Sequence, residues 1–356
     1  MRLHFLIGFL LVCLAAGLPV DTEEPNGILT AADFDYFADK EFAVYDDNGN
    51  LVTDTLDAGS FELLTQEDYA EEIIDRNMEK RIMFLLYTDK NKDEAQPLYL
   101  NNDEVLLKSN FDPSKPTRLV THGWMNSRKS AACTLIRDGY LRVGGYNVIV
   151  VDWSKISCRG YVYASSRVQQ VGIFVSRFIN FLARHGMDIS DTTLIGHSLG
   201  AHVMGMAGYY SNHTVNYIYG LDPALPGFLT ARQGSRISRG DAHHVEIIHT
   251  NAGLLGYFAA IGDIDFYPNG GSRQYGCLID PGGACSHARS YEFFAESINS
   301  KTGFYGRSCY NFIQYTLGLC KRKELYLMGG RKVTIEKHGT FYLTTTSKNP
   351  YAKGIV

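Results

Sequence analysis

Beyond its first seventeen residues the chain has no window approaching twenty uninterrupted apolar residues, so no transmembrane anchor is expected. It has no CxxC pair and no His/Cys cluster with zinc spacing, which leaves a zinc-dependent reading without ligands. Internal repeats and low-complexity linkers are absent too, which argues against a solenoid or a string of small modules. Basic residues are nearly missing from residues 21–75, where Lys40 stands alone against seventeen Asp and Glu. From Arg76 onward the balance reverses to 32 basic and 21 acidic side chains, a net of +11. The chain therefore reads as an acidic leader, residues 18–80, joined to a basic domain, residues 81–356. Two readings of the leader stay open: a pro-segment or shield released near Lys80-Arg81, or a solvated acidic arm. Aromatic residues such as Phe34, Tyr36 and Phe37 argue for partial order against the main domain.

Residues 1–17 have the pattern of a secretory signal: Arg2, an apolar stretch over residues 3–14, and the small residues Ala15-Ala16-Gly17. An extracellular mature protein is expected. Cys13 leaves with the signal, and the remaining six cysteines form an even set suited to structural disulfides. Spacing suggests Cys133 with Cys158, Cys277 with Cys285, and Cys309 with Cys320, among fifteen possible pairings. Asn212-His213-Thr214 is a glycosylation sequon.

From about Ile82 the chain alternates strand-like runs (81–88, 117–121, 147–152, 193–195, 217–221, 245–249) with helical stretches (130–142, 162–184, 201–210). That alternation predicts an α/β domain with a mostly parallel sheet covered by helices on both faces. Thr340-Phe341-Tyr342-Leu343, within residues 333–346, reads as a closing strand.

The chemistry concentrates at Gly196-His197-Ser198-Leu199-Gly200, which follows the apolar Thr193-Leu194-Ile195 and precedes a helical segment. A strand turning sharply into a helix through two glycines can present a serine hydroxyl as a nucleophile, and the α/β-hydrolase order of partners is then Ser, acid, His. The strand at 217–221 ends in Asp222-Pro223, which puts a carboxylate at the same sheet edge as the serine. Of the later histidines, His243, His244 and His249 border a strand and suit structural roles, and His338 sits beside a turn glycine. His287, expected in a short loop next to a disulfide cysteine, is the candidate base. Leu199 N–H at the helix start and Trp124 N–H after Thr121-His122-Gly123 are the candidate oxyanion donors.

These stretches, together with Val151-Asp152-Trp153, Ile248-His249-Thr250, the run from Asp265 to Gly271 and Cys285-Ser286-His287-Ala288-Arg289-Ser290, resemble the pancreatic lipase family of secreted serine esterases, which includes phospholipases A1. They follow one another in family order across residues 81–320. The resemblance implies an α/β-hydrolase fold, Ser198, Asp222 and His287 as the triad, Trp124 and Leu199 as the oxyanion hole, and no metal or organic cofactor. Some relatives carry a structural calcium site, but residues 233–241 here offer only Asp241 as an acid. Only 69 residues follow His287, so the C-terminal lipid-docking β-sandwich of some relatives is not expected.

Cys277 and Cys285 enclose seven residues, too few for the long amphipathic lid of family members that act on triacylglycerol. By that analogy the expected activity is phospholipase A1 or galactolipase. The alternatives are a triacylglycerol lipase without interfacial activation and a catalytically silent lipid-binding protein. The expected partner is lipid at a membrane or micelle surface, through peripheral contact only; nucleic acid is not expected. The basic charge would suit anionic lipid surfaces, or simply solubility. Leu254, Leu255, Tyr257 and Phe258 are candidate lipid contacts, with buried packing as the alternative.

Overall fold

The computed structural model describes residues 30–38, 40–56, 78–320, 324–331 and 338–355. The signal reading over residues 1–17 lies outside these residues, as do positions 18–29 and 57–77 of the leader and 332–337 of the closing segment. The leader contributes helix α1 (Ala31–Phe37) and the antiparallel strands β1 (Glu41–Tyr45) and β2 (Leu51–Thr55), which among the described residues pair only with each other.

The main sheet is built from β3 (Met83–Tyr87), β4 (Gln96–Leu98), β5 (Thr117–Thr121), β6 (Asn147–Asp152), β7 (Thr192–His197), β8 (Tyr217–Leu221), β9 (His244–Ile248), β10 (Ile264–Pro268), β11 (Tyr305–Ser308), β12 (Leu325–Leu327) and β13 (Gly339–Leu343). Their order across the sheet is β12-β11-β13-β10-β9-β8-β7-β5-β6-β3-β4. The run from β13 to β6 is parallel, with antiparallel strands added at both edges. Every residue of β5 to β10 is buried, as expected for strands covered on both faces.

Four helices do most of the covering: α2 (Ala131–Val143), α3 (Val168–Arg184), α4 (Leu199–Tyr209) and α5 (Ala284–Asn299). One core packs α3 and α4 against the sheet, with Phe84 stacked on Phe178 at 3.7 Å between ring centroids. Helices α3 and α4 approach closely because Gly172 has no side chain; a Cβ there would lie 2.3 Å from Met206 Cβ. The other core joins Ile136 and Tyr140 of α2 to Phe293, Phe294 and Ile298 of α5.

The fold is thus the α/β-hydrolase architecture read from the sequence, with some differences. The stretch 162–184 is two helices broken at Arg167, not one. Strand β10 escapes a hydropathy reading because it carries Asp265 and ends at Pro268; Asp265 is buried but satisfied by His249 Nε2 at 2.9 Å and by the amides of Ile261 and Gly262. Cys277–Cys285 and Cys309–Cys320 are bonded, whereas Cys133 and Cys158 are free. Cys133 is wholly buried in the α2 core, and the exposed Cys158 has its Sγ 3.4 Å from the Asn126 carbonyl, so the pairing suggested by spacing does not form. The Asn212 sequon lies on an exposed turn.

Glu246 of β9 is buried, accepting hydrogen bonds from Tyr217 Oη at 2.7 Å and Gly329 N at 2.7 Å. Burial pushes its carboxyl up to about 7 despite those bonds. The folded state therefore holds a proton that the unfolded chain has released, so its contribution falls as pH rises from about 4.5 to about 7 and is level above. Glu246→Gln is expected to flatten the decline of Tm across that window, which thermal unfolding at stepped pH will show.

Candidate active site

Strand β7 ends where Gly196 and Gly200 let the chain fold back tightly onto itself. A Cβ on Gly196 would lie 2.1 Å from the Gly200 carbonyl oxygen, and one on Gly200 would lie 2.3 Å from that of His122. Between them Ser198 adopts φ 59° and ψ −125° at the N-terminus of α4. A non-glycine residue in this region costs about 1–3 kcal/mol and persists only where the surroundings impose it. Here the Ser198 amide donates to Leu221 O at 3.0 Å, and its carbonyl accepts from Ala201 N at 3.0 Å and Ala224 N at 3.3 Å. His202, one helical turn on, ties α4 to the next loop: its Nε2 donates to Ala224 O at 2.7 Å and its Nδ1 accepts from Ile237 N at 3.3 Å. Burial lowers its imidazole to about 3, so it remains neutral.

Asp222, also at positive φ (46°), follows β8 and is fully buried. Its Oδ1 accepts from Thr250 N at 2.7 Å and Asn251 N at 3.0 Å, and its Oδ2 lies 2.6 Å from His287 Nδ1. Gly256 packs so closely that a Cβ there would lie 2.3 Å from Oδ1. Two main-chain donors fix the carboxylate: Thr250 N is on Oδ1, and Asn251 N is shared between Oδ1 and Oδ2, where it lies 3.1 Å from the oxygen that meets the imidazole. His287 is on the first turn of α5 and not in a loop, next to the bonded Cys285, and Asp280 caps that turn by accepting from Cys285 N and Ser286 N. The Nε2 of His287 is buried with no hydrogen-bond partner among the described residues. Its neighbour His197, at 4.5 Å between ring centroids, has its imidazole held far below the ordinary range by burial, with the nearby His287 adding to the effect. His197 is therefore neutral.

The loop after β5 reaches the same point. Gly123 lies against the serine; a Cβ on it would stand 2.7 Å from Ser198 Cβ. Trp153 N donates to His122 Nε2 at 3.2 Å, and His122 Nδ1 lies 3.0 Å from Gly123 O, which fixes the start of this loop. Trp124 is anchored by its indole Nε1 donating to Arg159 O at 2.7 Å. Among the described residues, neither the Trp124 nor the Leu199 main-chain N–H has an acceptor. The five residues singled out in the sequence thus meet at one sheet edge. A side chain on Gly123 would separate its two halves, and Gly123→Ala is expected to lower kcat about 100-fold or more, on the scale of losing one oxyanion donor. Turnover of a soluble ester, with Tm as the folding control, checks this.

Sequence reasoning did not identify Thr250 and Asn251, whose role runs through backbone amides that carry no residue-type signal. The lipid-contact group divides. Leu255 and Tyr257 are core residues, while Phe258 is half-exposed. Leu278 and Ile279 in the Cys277–Cys285 loop are the more exposed apolar pair, at 91% and 89% exposure.

An α/β hydrolase with a serine elbow is what this fold and site define. The model of the lipase family matches residues 52–351, and the chain belongs to that family. Mouse pancreatic triacylglycerol lipase is 33% identical over 301 residues, covering 76% of this chain and 64% of the relative. The pig enzyme of the same description is 34% identical over 260 residues, covering 67% and 58%. The chain thus spans about three-fifths of the length of these relatives. Among solved structures, a phospholipase/carboxylesterase from Dyadobacter fermentans shares 13% identity at a TM-score of 0.30, over 39% of this chain and 68% of its own.

Proposed function

We propose that the protein is a secreted serine esterase that hydrolyses fatty acyl esters of lipids at a membrane or micelle surface. The observation that carries this reading is the 2.6 Å contact of Asp222 Oδ2 with His287 Nδ1, beside a serine in an elbow conformation. In the reaction His287 Nε2 takes the proton from Ser198 Oγ as the oxygen attacks the ester carbonyl. The oxyanion accepts hydrogen bonds from the Trp124 and Leu199 amides. Collapse expels the alcohol, which receives the proton from His287; water, deprotonated by the same imidazole, then releases the fatty acid. Asp222 accepts the Nδ1 proton of His287 and so keeps Nε2 turned to the serine as the base.

Within that class the reading is phospholipase A1 or galactolipase. The Cys277–Cys285 loop forms only a short turn, Pro281–Gly283, before α5, so it builds no helical lid, and by analogy within the family a short loop at this place favours substrates with a polar head group. The similarity to triacylglycerol lipases favours a second reading, a triacylglycerol lipase without interfacial activation. The complete Ser198, Asp222 and His287 set speaks against a silent lipid-binding protein. Secretion is supported by the two disulfides. The deciding experiment compares phosphatidylcholine, galactolipid and triacylglycerol hydrolysis side by side and locates the released acyl position. Release from the sn-1 position of the polar lipids is expected; a preference for triacylglycerol that rises at an oil interface would overturn the phospholipase reading.

A further inference from the structure

The pocket beside Ser198 and His287 has a volume of about 20 Å³. That is room for about one water molecule, whereas sites for small ligands run to roughly 300–1,000 Å³. The part of its wall contributed by the leader is Val44 and Tyr45 of β1. Phe42, on the same strand, is completely buried, with its ring centroid 5.9 Å from that of Trp124 and 4.9 Å from that of Tyr161. Phe37 of α1 packs behind it at 6.4 Å.

Three acidic side chains of the leader hold this arrangement in place. Asp33 accepts from Gly227 N and Leu229 N at 3.1 and 3.2 Å, and Asp54 from Tyr161 N at 3.3 Å. Asp47 accepts from Ser127 N at 3.0 Å and also from Ser127 Oγ. In addition, Asn126 Nδ2 donates to Tyr45 O at 2.7 Å, so the hairpin grips the residues just after Trp124. Yet β1 and β2 form a sheet of their own, and the match to the lipase family begins at residue 52, which leaves α1 and β1 outside it. A two-stranded ribbon of this kind depends on its packing surface for stability.

We propose that α1 and the β1–β2 hairpin are an intramolecular inhibitor. Phe42 and Val44 occupy the apolar floor on which a fatty acyl chain must lie to bring its ester to Ser198, and the segment must leave before a long-chain lipid can react. Part of the leader's acidity then has a structural reason: Asp33, Asp47 and Asp54 serve as latches on main-chain donors around the crevice. The proposal rests on Ser198 being the nucleophile. It reverses the effect expected of an ordinary structural hairpin, whose loosening would lower activity.

The test uses the full chain. Phe42→Asp with Val44→Asp breaks the apolar contact, and Asp47→Ala removes one latch without touching the core. Each protein is reacted with a long-chain alkyl fluorophosphonate and the modified residue identified by mass spectrometry, with circular dichroism and Tm as folding controls. Labelling of Ser198 is expected to rise about tenfold or more in the double variant and by a smaller factor in Asp47→Ala, as the reactive fraction grows. Phe42→Leu is expected to label as slowly as the parent. Labelling of the parent chain as fast as both loosened variants overturns the inhibitor. If no folded chain labels at Ser198, the nucleophile reading itself is overturned and the inhibitor with it.

Discussion

Ser198→Ala is expected to remove ester hydrolysis while leaving the fold intact, with kcat falling on the order of 10⁶-fold as for loss of a serine nucleophile elsewhere. The separation of the two effects follows from what Ser198 contacts. Its structural bonds are all through the main chain, to Leu221, Ala201 and Ala224, and alanine keeps each of them. The side chain lies in the space between Gly123 and His287, so removing one oxygen creates no clash. A change in stability below about 0.5 kcal/mol is expected, within the range of substitutions that break no structural feature. The measurement is turnover of a short soluble ester and of the preferred lipid, made in the parent chain and in the Phe42→Asp, Val44→Asp background. Retained turnover with unchanged kcat would sink Ser198 as the nucleophile.

The serine elbow was legible because its signal is local: a β-branched strand, two glycines and a helix, all within residues 192–209. Asp222 was legible for a related reason, since a carboxylate at the C-terminal end of a parallel strand must face the edge where the elbow lies. His287 was found by elimination, but its setting was not; Cys285 and Ser286 continue into a helix because Asp280 caps it, and such a cap resembles a loop residue in sequence. The leader's aromatics pointed to order against the main domain, but the place where they dock lay beyond local reasoning. Phe42 meets Trp124 and Tyr161 across more than eighty residues, and the acidic run around it suggests solvent exposure although two of its carboxylates, Asp47 and Asp54, are turned onto amides of the main domain. Leu255 and Tyr257 mislead in the opposite direction, since they look like a lipid-facing loop but pack beneath it: Leu225 N donates to Leu255 O, and Tyr257 N to Pro223 O, at 2.7 Å each.

Asp222→Asn is expected to cost about 10⁴-fold in kcat with little change in fold, a drop of the size seen when the same change is made in a serine protease triad. The geometry here dictates the reason. Oδ1 of Asp222 accepts from Thr250 N at 2.7 Å and shares Asn251 N with Oδ2, so the amide oxygen of an asparagine takes the Oδ1 side, where it keeps both donors. Its NH₂ then points at His287 Nδ1, which has to become the acceptor. Neutral His287 is forced to carry its proton on Nε2, the atom that must receive the proton of Ser198, and the base is blocked although every side chain is in place. The change is in tautomer and not in position, so substrate binding should be nearly unaffected and KM should move far less than kcat. A steady-state comparison on a soluble ester separates the two. A fall carried mainly by KM, or a variant as active as the parent, would show that Asp222 only props the loop at Thr250 and does not orient the base.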